Sequence, residues 1–492
     1  MDSISRNAVY AIGTQLATAA FTAGVTIYLV RALGPDGYGV FALALSIGAI
    51  LILPSDFGIS QATARFIAEL RDDRTAASAI YADAFRLRLM GSMVVAVALV
   101  ASAGLIADAY GQPQLAWAVR GVALAVFGQS LLMLNNGVLT ALGRLGIYFR
   151  IVVSESAIEA AATVALVLLG GGAAGAAFGR AAGYLAGGLI AVVAVVRLLG
   201  VGARRRGLRL ESGYGRRLMG YAGALFIVDG AFTLFEQIDI ILIAAYLDAS
   251  AVGLFQAPLR LATFLHYPGL AIASAVAPRL ARGRGTEPNV AAFETALRLI
   301  VVVQLGLAAG TLAWASPIVE VALGPEYRGS VETLRVLAPY VVLSGIAPLV
   351  SLGATYLGEA RRRVPIAILT VLVNLAVDII LIPRIGIVAG AIGTTLAFAL
   401  YVPAHLWICQ RMLSIDMRGL GLTAFRALLA AGALAGVLAI IGTSTLSGLQ
   451  WVAGLVLAPL AFGAVLLLSG EVTRAELQGA RRRVSALIQR GA

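Results

Sequence analysis

No lysine occurs in the 492 residues; all 37 basic side chains are arginine. A P-loop needs its lysine on the nucleotide phosphates, so the chain is not itself a P-loop ATPase. One cysteine, Cys409, excludes an internal disulfide and argues against a cysteine-built metal site. The two histidines, His266 and His405, are isolated from each other, each beside aromatics and proline. They read as packing or interfacial groups rather than metal or proton ligands. Charge is scarce as well: 13% of residues are charged, 60% are hydrophobic, and mean hydropathy is +0.92. Soluble domains sit near half apolar and a quarter charged, so this is an integral membrane protein. Long polar loops are also missing. The largest, around residues 67–87 and 199–216, are about twenty residues each, too short for a soluble domain. Any chemistry must take place among the helices.

What is present is apolar runs, each of roughly 20 residues and long enough to cross a bilayer as a helix. Fourteen begin near residues 8, 38, 89, 114, 149, 174, 219, 252, 297, 333, 364, 387, 424 and 449. The first follows a lone Arg6 and lacks a small-residue cleavage site, so it is expected to be a retained span. With the N-terminus in the cytoplasm, 30 of the 37 arginines fall on cytoplasmic segments. Arg31, Arg328, Arg335 and Arg384 fall outside, and Arg120, Arg180 and Arg260 lie within spans. A wrong helix count would scramble this alternation. The +12 net charge therefore reads as orientation and contact with anionic lipid, not as nucleic-acid binding.

The sequence also repeats itself. GYGVF at Gly37–Phe41 is echoed by AVGLF at Ala251–Phe255. At an offset of 214 or 215, Gly39 meets Gly253, Ser60 meets Ser274, Arg65 meets Arg279 and Gly143 meets Gly358. GGAAGAA at Gly171–Ala177 meets GIVAGAI at Gly386–Ile392. The offset spans six helices, an even number, so both halves have the same orientation; in transporters built this way the substrate site lies between the halves. The expected fold is an all-α polytopic membrane protein of about 14 transmembrane helices. Two pseudo-symmetric six-helix lobes, 1–199 and 217–412, are joined by a basic cytoplasmic linker, 200–216. Two extra helices (413–470) and an amphipathic cytoplasmic tail (471–492) follow. Both termini are expected in the cytoplasm.

Five segments carry a family resemblance: RALGPDGYGVFALA (Arg31–Ala44), DFGISQATARFIAE (Asp56–Glu69), EQIDIILIAAYLDASAVGLFQAPLRL (Glu236–Leu261), LGPEYRGSVETLRVLAP (Leu323–Pro339) and VLVNLAVDIILIPRIGIVAGAIGTT (Val371–Thr395). In their order they resemble the Wzx-type polysaccharide flippase branch of the multidrug/oligosaccharidyl-lipid/polysaccharide (MOP) exporter superfamily. The resemblance implies two lobes forming a V around a central cavity. It also implies alternating access that carries a polyprenyl-(pyro)phosphate-linked oligosaccharide to the outer leaflet of the cytoplasmic membrane, for cell-surface polysaccharide biosynthesis. Implied partners are the lipid-linked oligosaccharide, membrane lipids, and a polysaccharide polymerase or other assembly proteins. One chain holds the whole pathway, so a monomer suffices. Two alternatives stay open: a multidrug or cation exporter of the same superfamily, and a membrane glycosyltransferase or polymerase. Exporters of that kind typically have twelve spans, and no nucleophile–base arrangement suggests an enzyme.

Ionisable groups inside spans are costly and mark a partner or a cavity. The arginine fork binds phosphate, which makes Arg31, Arg65, Arg120, Arg180 and Arg260 candidates for holding the cargo's pyrophosphate. Glu155, Glu159, Asp229, Glu236 and Asp239 are candidates for taking up H⁺ or Na⁺ as a coupling ion; no other cofactor is expected. Glu155 and Glu159 share one face of helix 5, with Arg180 on helix 6 a plausible partner. The competing reading of each charge is an internal ion pair, Arg180 with Glu155 or Glu159 and Arg260 with Glu236 or Asp239.

Overall fold

A computed structural model describes residues 3–70, 73–200, 230, 232–276, 280 and 289–473. The expected linker and almost all of the tail, together with Asp229 and Arg279, lie outside the described residues. The elements are helices throughout: α1 (Ser3–Asp56), α2 (Ile59–Glu69), α3 (Arg74–Ala109), α4 (Leu115–Ala141), α5 (Leu145–Leu166) and α6 (Gly172–Leu199). Then come α7 (232–246), α8 (Ala249–Phe264), α9 (Tyr267–Val276), α10 (Val290–Ala313), α11 (Ala315–Ala322) and α12 (Val331–Val336). The chain continues through α13 (Ala338–Tyr356), α14 (Ala360–Ile385), α15 (Val388–Leu413), α16 (Met417–Ile441) and α17 (Gly448–Leu468).

Ten helical stretches among the described residues are long and apolar enough to cross a membrane. Two of them, Gly13–Asp56 and Leu145–Leu199, each hold two spans separated by a sharp break, at Gly34 (φ 64°) and around Gly170 (φ 85°). Pro35 follows Gly34 because its missing N–H is no loss at a helix start. Arginine at helix ends, apolar surface along their length and internally satisfied backbone are what a bilayer demands of a multi-pass protein.

The chain forms two compact units: Met1–Gln256 with Ile382–Gly386, and Ala257–Leu381 with Ile387–Ala492. In the first, α4 and α6 approach through Gly121, Gly128 and Gly188, where an added Cβ would strike the facing backbone. A second glycine stripe on α6 (Gly175, Gly179, Gly183 and Gly187) lies against α5. Without a hydrophobic driving force between helices in lipid, such close van der Waals approach supplies the packing energy. In the second unit, Phe293, Leu297, Ile300, Leu349, Val350 and Cys409 form a buried core between α10, α13 and α15. The extra helices α16 and α17 pack beside α10, and Trp314 donates its Nε1–H to the Gly442 carbonyl at 2.9 Å.

The repeat read from the sequence reappears as local geometry. The α4–α5 turn has Gly143 at φ 68°, and the α13–α14 turn has Gly358 at φ 86°. Each closes through matching bonds: Gly143 N–H to Thr140 O and Gly358 N–H to Thr355 O, both 3.0 Å, then Arg144 to Leu139 and Glu359 to Ala354, at 2.8 and 2.9 Å. All are related by 215 positions. Within the first unit, Gly39 abuts the Ala249 carbonyl and Gly253 abuts the Pro35 carbonyl. These two contacts are exchanged by the 214 offset, so each repeat uses its glycine against the other's turn.

Candidate functional site

In the first unit the α6 glycine stripe determines what α5 can present. A Cβ at Gly183 would meet the Glu159 backbone, and one at Gly187 would meet the Glu155 side chain. The two acids are thereby pressed against α6. There Arg180 Nη1 donates to Glu159 Oε1 at 3.0 Å and Nη2 donates to the Tyr184 hydroxyl at 2.8 Å. Its guanidinium carbon also lies 5.1 Å from the Tyr184 ring centroid. The pair is half-buried, with side-chain exposures of 30% and 15%. Glu155 is buried and accepts a 3.1 Å bond from Ser156. Two carboxylates thus meet one guanidinium: Glu159 and Arg180 pair, while Glu155 is held by a hydroxyl.

A second charged pair stands at a helix break. Phe57 (φ 45°) and Gly58 (φ 73°) interrupt the second span between α1 and α2. Asp56 spans this break, accepting from Ser60 N–H at 3.0 Å and Ser60 Oγ–H at 2.7 Å. Arg88 of α3 lies 2.7 Å from the same Asp56 oxygen, fully buried, and its Nε donates to Ser130 O at 3.1 Å. Sequence reasoning counted Arg88 among the cytoplasmic orientation signals. The missed signal was the length of α3, 36 residues, which places Arg88 well inside the helix and not at its end.

The other sequence candidates are dispersed. Arg31 is exposed near the end of the first span. Arg65 is exposed and pairs with Glu69 at 3.0 Å. Arg120 sits with its guanidinium 4.5 Å over the exposed Trp117, the arrangement of a membrane-interface anchor. On α7, Glu236 is exposed and Asp239 buried. Arg260 is half-buried on α8, which ends at a break before Pro268. Asp229 lies outside the described residues.

In the second unit, Asn374 and Asp378 are fully buried one turn apart on α14, and the Asn374 amide donates to Asp378 Oδ2 at 2.8 Å. Gly393 of α15 allows their approach. Near the start of the same helix, Arg363 donates from Nε to His405 Nε2 (3.4 Å), from Nη1 to Thr355 Oγ1 (2.6 Å) and from Nη2 to Ser351 Oγ. Tyr401 donates its hydroxyl to the same Ser351 oxygen at 3.2 Å. His405 Nδ1 lies 2.9 Å from the Tyr401 carbonyl, which makes Nδ1 the protonated nitrogen and leaves Nε2 to accept from Arg363. Among the described residues no group of three or more His, Cys, Asp or Glu gathers as a metal site.

Paired charges between glycine-packed helices do not by themselves identify a function, and comparison with known proteins narrows it. The family model described as polysaccharide biosynthesis protein matches residues 28–332, more than half the chain. The chain belongs to that family. Among curated proteins it is similar to the probable low-salt glycan biosynthesis flippase Agl15 of Haloferax volcanii, 23% identical over 430 residues, covering 86% of this chain and 87% of that protein. Among solved structures it is similar to the lipid II flippase MurJ in an inward closed conformation. There the TM-score is 0.70 and identity 12%, covering 93% of this chain and 97% of MurJ. It is also similar to an inward-facing multidrug resistance MATE family transporter of the MOP superfamily, with TM-score 0.64 and 16% identity over 81% of this chain and 95% of that one. These structural likenesses show that the chain shares their polytopic helical fold.

Proposed function

We propose that this member of the polysaccharide biosynthesis family is a flippase. It moves a polyprenyl-(pyro)phosphate-linked oligosaccharide from the inner to the outer leaflet of the cytoplasmic membrane by alternating access. The observation that carries this reading is the likeness to a glycan biosynthesis flippase along 86% of the chain, in a family of polysaccharide biosynthesis proteins. The MATE likeness is the basis of the exporter alternative, and it covers less of the chain at a lower TM-score than MurJ does. The arginine distribution supports cytoplasmic termini. Residues 1–199 and 217–412 act as the two lobes, and a monomer carries the pathway. A polymerase or another assembly protein receives the product.

Within the first lobe, Arg180 is the cargo-facing cation, held ready by Glu159 and Tyr184. Glu155 is the acid that exchanges the coupling proton, with Asp239 of α7 a second buried acid for H⁺ or Na⁺. Arg31, Arg65, Arg120 and Arg260 contribute positive potential along the route. Deleting the protein and profiling polyprenyl-linked intermediates by mass spectrometry tests the reading. Accumulation of a completed lipid-linked glycan is expected. An incomplete glycan would point to an assembly enzyme, and an unchanged profile with altered sensitivity to cationic drugs would point to an exporter. In the same assay Arg180→Ala should behave as the deletion while the protein inserts normally; full transport by that variant would remove Arg180 from the cargo route.

A further inference from the structure

Arg88, Arg180, Arg298 and Arg426 each lie against a carboxylate: Asp56, Glu159 and, for the last two, Glu471. Arg363 does not. Three neutral acceptors on two neighbouring helices hold it, Ser351 and Thr355 on α13 and His405 on α15. Among the described residues no carboxylate pairs with it. Its neighbour Arg362 takes Glu359 at 3.0 Å. A guanidinium carries five N–H donors, so three bonds leave two unassigned on a half-buried cation. Holding a long side chain in one geometry is costly in entropy, and here the cost is met before any ligand arrives. His405, fully buried, contributes as an acceptor and so adds no competing charge. Under the 215 offset the first-lobe counterpart of Arg363 is Tyr148, so the arrangement belongs to the second lobe alone.

We propose that Arg363, fixed by Ser351, Thr355 and His405, is a binding site for a phosphoryl group at the end of the second unit where α13 turns into α14. The turn also carries the exposed Arg361 and Arg362, which places the site at headgroup depth on the side assigned above to the cytoplasm. The planar fork suits a phosphate oxygen pair. The proposal rests on the flippase reading for its ligand: the phosphate of the polyprenyl carrier, captured before it enters the transport route. A bulk anionic phospholipid presents the same chemistry.

The test is binding by the purified full chain in nanodiscs of phosphatidylcholine, read by displacement of a fluorescent polyprenyl pyrophosphate. Arg363→Gln should weaken binding by about tenfold or more, the loss expected for a charge-assisted pair. Ser351→Ala with Thr355→Ala, which leaves the charge but frees the fork, should weaken it by less. Phosphatidylglycerol added to the nanodiscs separates the sources. If it displaces the probe from the wild type but not from Arg363→Gln, the site takes phospholipid headgroups; if only polyprenyl pyrophosphate competes, it takes the carrier. Equal affinity of the wild type, Arg363→Gln and the double hydroxyl variant would overturn the proposal. Because binding is read without transport, loss of flipping in a variant that binds normally would count against the flippase reading's other residues and not against this site.

Discussion

Arg88 and Arg180 of the first unit and Arg363 of the second are held in different ways. In the first, Arg180 is met by Glu159 and Arg88 by Asp56, so each cation has an acid within 3.0 Å. In the second, Arg363 bonds two hydroxyls and an imidazole, while further along α14 Asn374 donates to Asp378. The scaffold between them is nevertheless shared, down to the hydrogen bonds of the α4–α5 and α13–α14 turns. The two turns keep the same backbone geometry while the side chains around them differ. Glu159 corresponds to Asn374, Arg180 to Thr395 and Tyr148 to Arg363 under the 215 offset.

Breaking the most deeply buried pair should have the largest effect. Arg88→Ala leaves Asp56 without its cation at a helix break, and should cost about 3–5 kcal/mol, read as a lowered Tm in detergent. Arg88→Met with Asp56→Leu should recover most of it, because replacing both charges removes the desolvation cost as well. Gly183→Val comes next. Its side chain would meet the Glu159 backbone, and overpacking of this kind costs about 1–3 kcal/mol. The same change at Gly310, which faces open space, should be nearly silent. That contrast separates a packing effect at the acid–arginine cluster from a general intolerance of bulk.

The smallest effect concerns the second unit's outer helices. Glu471, just beyond α17, accepts from Arg298 at 2.6 Å and Thr423 at 2.9 Å, with Arg426 at 3.4 Å. Burial pushes its carboxyl upward, but these bonds and the Arg298 charge win and hold it below the usual carboxylate range. A depressed pKa stabilises the fold above the unfolded value, about 4.3, and the contribution is lost as pH falls through the lower folded value. Glu471→Gln should cost about 1 kcal/mol near neutral pH and flatten the acid limb of Tm against pH. An unchanged acid limb would show that Glu471 does not tie α16 and α17 to α10.

Many apolar spans, the paired turns and the meeting of Glu155, Glu159 and Arg180 were legible because they rest on hydropathy, offset and helical spacing. Depth was not. Arginine placement assigns a side of the membrane, but a long flexible side chain near a helix end can reach inward as readily as outward. Arg88 and Arg363 both read as orientation signals; one is a buried ion partner and the other a fixed fork between helices. Arg120 lies within the α4 span as expected, with its guanidinium over Trp117 near the start of that helix. The break after Asp56 was hidden as well, since Phe57 adopts a left-handed conformation that its side chain gives no hint of.

The central claim is that this chain alone moves a lipid-linked glycan across a bilayer. Its most direct measurement uses proteoliposomes containing only the purified protein and a labelled polyprenyl pyrophosphate-linked saccharide, following the label's access to an external glycan-modifying enzyme. Protein-dependent exchange that Arg180→Ala abolishes is expected. Exchange no faster than in protein-free liposomes, with the wild type folded and the labelled lipid bound, would contradict it.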